Sequence, residues 1–284
     1  MTDLETVDYS PLDRPDITRV LFHPRSEGRR SDADAGPGIP VMIPVAPGVE
    51  IGGCFYIAEE SVPNILFFHG NGEIVADYED LGPFYNRMGI NFLPVDYRGY
   101  GRSTGSPTVT NMMRDCHAIL AFTRTWLEEN GCTGPLVVMG RSLGSASALE
   151  LASRYEQEIH GLILESGFAY AGPLLALLGV DLIAVGFEEK RGFRNVDKIR
   201  RVTRSTLVIH AERDHIIPAT DGQALYDACG AANKRLLMIP RANHNDLLHV
   251  GFDAYMNAVR TLITDVVKEG SADQGKRSST KTED

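Results

Sequence analysis

The chain has 284 residues, 43% of them hydrophobic and 23% charged, with a formal net charge of −10. This is the composition of a globular protein with ample core, and the acidic balance, without any block of Lys or Arg, argues against nucleic acid as a partner. No apolar run approaches the roughly 20 residues of a spanning helix, the opening "MTDLETVDYS" is too acidic for a secretory signal, and the four cysteines have neither metal nor disulfide spacing, so a cytoplasmic protein without stable membrane insertion is expected.

Taken in chain order, residues 1–15 are polar and are expected to be a mobile start. "ITRVLF", "VMIPV" and "GGCFYIA" follow one another without helices and are predicted to be early antiparallel strands, with a loop at 26–38 between the first two. Six short apolar runs come next: "ILFFHG", "INFLPVDY", "PLVVMG", "GLILES", "STLVIHA" and "RLLMIP". Each is rich in branched residues and bounded by turn residues, the pattern of parallel strands covered on both faces. Pro94 is an awkward member, because proline cannot donate to a ladder; the strand is expected either to begin near Val95 or to carry a bulge. Helical stretches separate most of the runs. "TVTNMMRDCHAILAFTRTWLEEN" lines up Met112, Cys116, Ile119 and Phe122 along one face, and "SASALELASRY" and "DLLHVGFDAYMNAVRTLITDVVK" read the same way. The alternation predicts a single α/β domain over 16–267, with a mostly parallel sheet, antiparallel N-terminal strands and helices on both faces. Residues 167–201 form a small insertion holding one apolar helix, "PLLALLGVDLIAVGF". Residues 268–284 lack apolar side chains apart from Ala272 and are expected to be a disordered tail.

Functional groups of such sheets gather at the carboxyl ends of the strands. There the chain carries "HGNG" with Asn71, "DYRGYGRS" (96–103), Gly140-Arg141-Ser142-Leu143-Gly144, "ERDHIIP" with Asp214, and "RANHND" with His244. A serine, an acid and a histidine thus follow three different strands in the order Ser, Asp, His. With these five motifs in this order, residues 63–265 resemble the α/β-hydrolase superfamily. The match is closest to its intracellular serine-hydrolase branches: lysophospholipase-like, monoacylglycerol-lipase-like and depalmitoylase-like proteins. The resemblance implies the α/β-hydrolase fold, with 167–201 as a short cap, and a cofactor-independent serine hydrolase acting on a small-molecule acyl ester or thioester through an acyl-enzyme.

Each residue has a physical reason. Gly140 and Gly144 let a strand turn sharply into a helix, lifting Ser142 above the sheet. A serine hydroxyl needs a neighbouring base at neutral pH, and His244 is the candidate, with Asp214 to fix its tautomer. The oxyanion needs aimed donors; the Leu143 backbone N–H at the helix start and the Asn71 backbone N–H are expected to supply them. Glu165, one strand earlier, is the rival acid, and Asp221 reads as a helix start. His69 and His210 read as structural, His215 as a residue of the site mouth, and His249 as no part of a metal pair, so no metal or cofactor is expected. Asp96 and Arg98 are expected to pair or cap locally, with substrate binding by Arg98 or Arg102 as the alternative. Cys54 has no elbow around it, and Trp126 reads as a packing residue. The apolar insertion is equally consistent with an acyl-binding cap and with a helix that only packs on the sheet. A peptidase or amidase of the same fold, and a non-catalytic binding protein, stay open as other functions. The role of Arg141, immediately before the serine, has no account at this level.

Overall fold

The apolar runs become strands of one eight-stranded sheet in a computed structural model that describes residue 4 and residues 7–28 and 36–279. The strands are β1 (Ile39–Ala46), β2 (Val49–Phe55), β3 (Asn64–Phe68), β4 (Asn91–Val95), β5 (Leu136–Arg141), β6 (Gly161–Glu165), β7 (Ser205–Ala211) and β8 (Lys234–Ile239). Their order is β1-β2-β4-β3-β5-β6-β7-β8. The β1–β2 and β2–β4 pairs are antiparallel, and all the others are parallel. Side chains alternate across the sheet into two buried layers. Leu66, Phe68 and Val138 face one, while Ile65, Phe67, Val137 and Met139 face the other. Helices α3 (Val109–Glu129), α4 (Gly144–Arg154), α6 (Asn195–Ile199) and α7 (Ala219–Ala228) cover the first layer, and α2 (Leu81–Arg87), α8 (Leu247–Val250) and α9 (Phe252–Ser279) the second. Helix α3 starts where the Thr108 hydroxyl accepts the Asn111 N–H, and it buries Met112, Cys116 and Ile119 on the expected face.

The structure departs from expectation at several points. "ITRVLF" is not a strand but most of α1 (Pro15–Leu21), which buries Ile17 and Leu21 at i, i+4. Pro15 stands in its first turn, where the missing N–H costs nothing. The start is not loose either: Tyr9 and Leu12 are buried, and the Tyr9 hydroxyl donates to Glu150 at 3.0 Å. Pro94 belongs to β4 without a bulge. Phe92 and Tyr56 exchange both backbone bonds, and the Asp96 N–H donates to Gly52 on the far side of the proline. The register is therefore kept and one ladder bond is omitted. The insertion's apolar stretch is not one helix: α5 (Ala171–Leu177) ends before Gly179, and Asp181 caps a turn by accepting the Ile183 and Ala184 N–H groups. The last predicted helix divides at Gly251 into α8 and α9. Helix α9 continues through the expected disordered tail to Ser279. Once Tyr255, Val259, Leu262 and Val266 have docked the helix, each added residue bears only the small cost of propagation. Residues 29–35 of the predicted loop, residues 1–3 and 5–6 of the start and residues 280–284 of the tail lie outside the described residues.

One buried polar cluster ties three segments together. Glu150 on α4 pairs with Lys198 on α6 at 2.7 Å, with Arg154, and with His117 on α3 at 3.2 Å. Burial opposes its charge, yet the His117 hydrogen bond and the Lys198 ammonium hold its carboxyl below the usual range. Glu150→Gln leaves the buried Lys198 charge without its counter-ion and is expected to cost about 3–5 kcal/mol in urea unfolding. A carboxyl held below its unfolded value of about 4.3 contributes fully above that pH, and its contribution is lost as pH falls through the folded value. The gap between wild type and variant is therefore expected to be widest near neutrality and to close in acid.

Candidate active site

Strand β5 ends at Arg141 and helix α4 begins at Gly144, so Ser142 stands in the turn between them. Its φ is +50°, a left-handed conformation that non-glycine residues rarely hold and that costs on the order of 1–3 kcal/mol. The flanking glycines make the turn feasible. A Cβ on Gly140 would lie 2.3 Å from the Gly144 carbonyl oxygen, and one on Gly144 would lie 2.1 Å from the Phe68 carbonyl oxygen. The Ser142 N–H donates to the Glu165 carbonyl at 2.8 Å, and the Ser142 carbonyl accepts from both the backbone and the hydroxyl of Ser145.

Asp214 follows β7 and His244 follows β8, and their loops are joined by the Arg213 N–H donating to the Ala242 carbonyl at 2.8 Å. The structure brings all three expected side chains together. His244 Nε2 is 3.0 Å from Ser142 Oγ, and His244 Nδ1 is 2.7 Å from Asp214 Oδ2. The other carboxylate oxygen, Oδ1, accepts the Ile216 and Ile217 N–H groups at 3.0 and 2.8 Å. Burial works against the Asp214 charge, but the His244 hydrogen bond, the electrostatic pull of the imidazole and these two amides lower its pKa. An ionised carboxylate only accepts, so Nδ1 carries the ring proton and Nε2 offers its lone pair to the serine hydroxyl.

The rival acids are engaged elsewhere. Glu165 accepts from Arg141 Nε at 3.0 Å and from the Tyr255 hydroxyl at 2.7 Å. Asp221 accepts the Ala169 N–H at 2.8 Å. His210 is buried, donates from Nε2 to the Ile217 carbonyl at 2.9 Å, and has its pKa lowered by burial. His215 is exposed and lines a hollow beside Asp214. Asp96 and Arg98 do not pair with each other. Asp96 meets His69 Nε2 at 3.2 Å and accepts the Val75 N–H, while Arg98 makes a buried two-point pair with Asp115 at 2.6 and 2.8 Å. Among the described residues, no group of three His, Cys, Asp or Glu side chains is arranged to hold a metal ion.

Asn71 is fixed by its side chain. Its Oδ1 accepts the Tyr100 hydroxyl at 2.7 Å and the His23 N–H at 2.8 Å, and its Nδ2 donates to His23 Nδ1 at 2.8 Å. The segment after α1 thus clamps the loop that follows β3. Neither the Asn71 nor the Leu143 amide takes part in the turn and loop backbone bonds among the described residues.

Arg141 is the residue that sequence reasoning left without a role. Its guanidinium donates to Glu165, pairs with Glu73, and donates through its second terminal nitrogen to the His244 carbonyl at 2.9 Å. Burial opposes the charge, but the Glu165 and Glu73 carboxylates keep it firmly protonated. Its position next to Ser142 was the only available signal.

The serine aminopeptidase S33 family model (Hydrolase_4) matches residues 59–184. Protein bem46 of Schizosaccharomyces pombe is 31% identical over 193 residues, which cover 66% of this chain and 63% of bem46. Alpha/beta hydrolase domain-containing protein 17C of Mus musculus is 33% identical over 210 residues, covering 69% of this chain and 59% of that protein. The chain belongs to the α/β-hydrolase superfamily. It spans about three-fifths of the length of these curated relatives. Its α/β-hydrolase fold is shared with the Pyrococcus furiosus esterase Pf2001, at a TM-score of 0.69, 19% identity and coverage of 86% of this chain and 99% of that one. It is shared too with a soluble variant of the Saccharomyces cerevisiae monoglyceride lipase, at a TM-score of 0.65, 18% identity and coverage of 84% and 97%.

Proposed function

We propose that this chain is a serine hydrolase that cleaves a carboxylic ester or thioester through an acyl-enzyme intermediate. The observation that carries this reading is the unbroken hydrogen-bonded line from Asp214 through His244 to Ser142, at 2.7 and 3.0 Å, ending on a left-handed serine. In the first step His244 Nε2 takes the Ser142 proton as Oγ attacks the acyl carbon. The imidazolium that forms faces the Asp214 carboxylate, and it then returns the proton to the leaving alkoxide or thiolate. Water attacks the acyl-Ser142 ester by the same route in reverse order. The backbone N–H groups of Leu143, at the start of α4, and of Asn71 are assigned to the oxyanion.

An apolar hollow of about 240 Å³ beside Asp214 supports an acyl substrate; Phe168, Leu174 and Leu177 of the insertion and Ile216 and Ile217 of the acid loop line it. The family model's description, serine aminopeptidase, favours amide cleavage as the second reading. Against it, the two carboxylates at the hollow, Asp214 and Asp221, are already engaged by His244 and by backbone amides, and so are poor partners for a peptide's free amine. The four cysteines, Cys54, Cys116, Cys132 and Cys229, form no disulfide among the described residues, which supports the cytoplasmic setting. A fluorophosphonate probe tests the chemistry. At neutral pH it is expected to label wild type and Cys54→Ala equally and Ser142→Ala not at all. Folded wild-type protein that resists the probe contradicts the reading. A series of p-nitrophenyl esters, acyl thioesters and peptide amides then ranks the substrates, and a strict preference for peptide amides selects the second reading.

A further inference from the structure

The guanidinium of Arg141 sits where three separately encoded pieces of the site meet. Glu73, its first partner, accepts the Gly70 N–H at 2.7 Å and the Tyr78 hydroxyl at 2.6 Å, so it is itself bound into the loop that carries Asn71. That loop rests directly on the arginine: a Cβ added to Gly70 would lie 2.7 Å from Arg141 Nη1. Glu165, its second partner, lies at the end of β6 and is held by the Tyr255 hydroxyl of α9. The third partner is the backbone carbonyl of His244, the residue whose ring reaches Ser142.

We infer that Arg141 is a positioning residue: from the nucleophile strand it locks the Gly70–Asn71 loop and the His244 loop into one rigid unit, so that base and oxyanion donor keep their places around Ser142 Oγ. This rests on the serine-hydrolase reading and adds a role that reading does not contain. The choice of arginine follows from its geometry. Its flat fork offers five N–H donors in fixed directions, enough to hold two carboxylates and a carbonyl at once, whereas a lysine ammonium is a single point charge. Buried ion pairs are weak contributors to stability when weighed against apolar replacements, so a side chain only 12% exposed between two glutamates calls for a geometric explanation. Misplacing reacting groups by about 1 Å costs on the order of 100-fold in rate.

The test compares Arg141→Lys and Arg141→Ala with wild type in steady-state hydrolysis of a p-nitrophenyl ester. Arg141→Lys keeps a positive charge beside both glutamates and is expected to fold. Its kcat should fall by about 10- to 100-fold with KM within about twofold, because Arg141 lines a different cavity from the apolar hollow. That cavity, about 230 Å³ and bordered also by Tyr78, Leu81, Asn245 and Leu248, can admit a small cation beside the vacated position. Guanidinium at sub-denaturing concentration is therefore expected to restore much of the kcat of Arg141→Ala, while equal ammonium or sodium does not. A wild-type kcat in Arg141→Lys overturns the inference, as does a folded Arg141→Ala that responds no better to guanidinium than to ammonium. If Arg141→Ala does not fold, the kcat and KM of Arg141→Lys decide alone, and collapse of both variants makes the role purely structural and overturns the inference too. A wild-type protein that neither turns over the ester nor reacts with fluorophosphonate overturns the hydrolase reading itself, a result separable from failure of the Arg141 variants alone.

Discussion

Ser142→Ala is expected to lower kcat/KM for a short-chain p-nitrophenyl ester by about 10⁴- to 10⁶-fold. The residue's environment says why the loss should be chemical. The left-handed backbone at position 142 is imposed by its neighbours: the chain passes too close for any Cβ at Gly140 beside Gly144 or at Gly144 beside Phe68, and the Ser142 N–H is held by the Glu165 carbonyl. Alanine meets the same backbone strain as serine there and removes a single oxygen, so the fold and the Leu143 amide should stay as they are. Thermal unfolding within about 1–2 °C of wild type, alongside the loss of turnover, is the expected combination. Residual activity above the uncatalysed rate should persist, since the Leu143 and Asn71 amides proposed for the oxyanion are untouched.

Asp214→Asn is expected to cost about 10⁴-fold in kcat, through a change of tautomer. The Ile216 and Ile217 N–H groups occupy Oδ1, so an asparagine must keep its oxygen toward them and turn its NH₂ toward His244 Nδ1. A donor at that position forces the ring proton onto Nε2, which then cannot accept from the Ser142 hydroxyl. Glu165→Gln separates the two candidate acids. Glu165 touches Arg141 and Tyr255 rather than the imidazole, so its replacement should reduce kcat by at least 100-fold less than Asp214→Asn does. The reverse ranking contradicts the assignment of the acid.

Much of this site was legible in the sequence because its parts are locally encoded. A serine between two glycines at the end of an apolar run has one economical backbone solution, and Asp214 and His244 each follow a run that could hardly be anything but a buried strand. The parallel sheet followed from the same runs, and the antiparallel pair β1 and β2 from the lack of helices between them. The misreadings share a cause in tertiary context. "ITRVLF" has the branched residues of a strand, yet its Ile17–Leu21 spacing and the proline ahead of it suit a helix once there is a core to pack against. Pro94 looked disruptive because a bulge or a late start are the usual remedies, whereas the sheet simply forgoes one bond there. The apolar stretch of the insertion, expected to be one helix, is broken by Gly179, with φ +88°. Arg141 was beyond reach for a plainer reason: its partners are 24, 68 and 103 residues away in the chain, and no local pattern announces them.

On the proposed reading, an acyl group passes through a covalent bond to Ser142 Oγ. The most direct measurement is intact-protein mass spectrometry after rapid acid quench of the enzyme with a slowly deacylated p-nitrophenyl ester, followed by peptide mapping. The expected result is a mass increase of one acyl group per chain, on the peptide containing Ser142, appearing with a stoichiometric burst of p-nitrophenol and absent from Ser142→Ala. Turnover with no adduct and no burst, or an adduct mapped to Cys54 or to any residue other than Ser142, would contradict it.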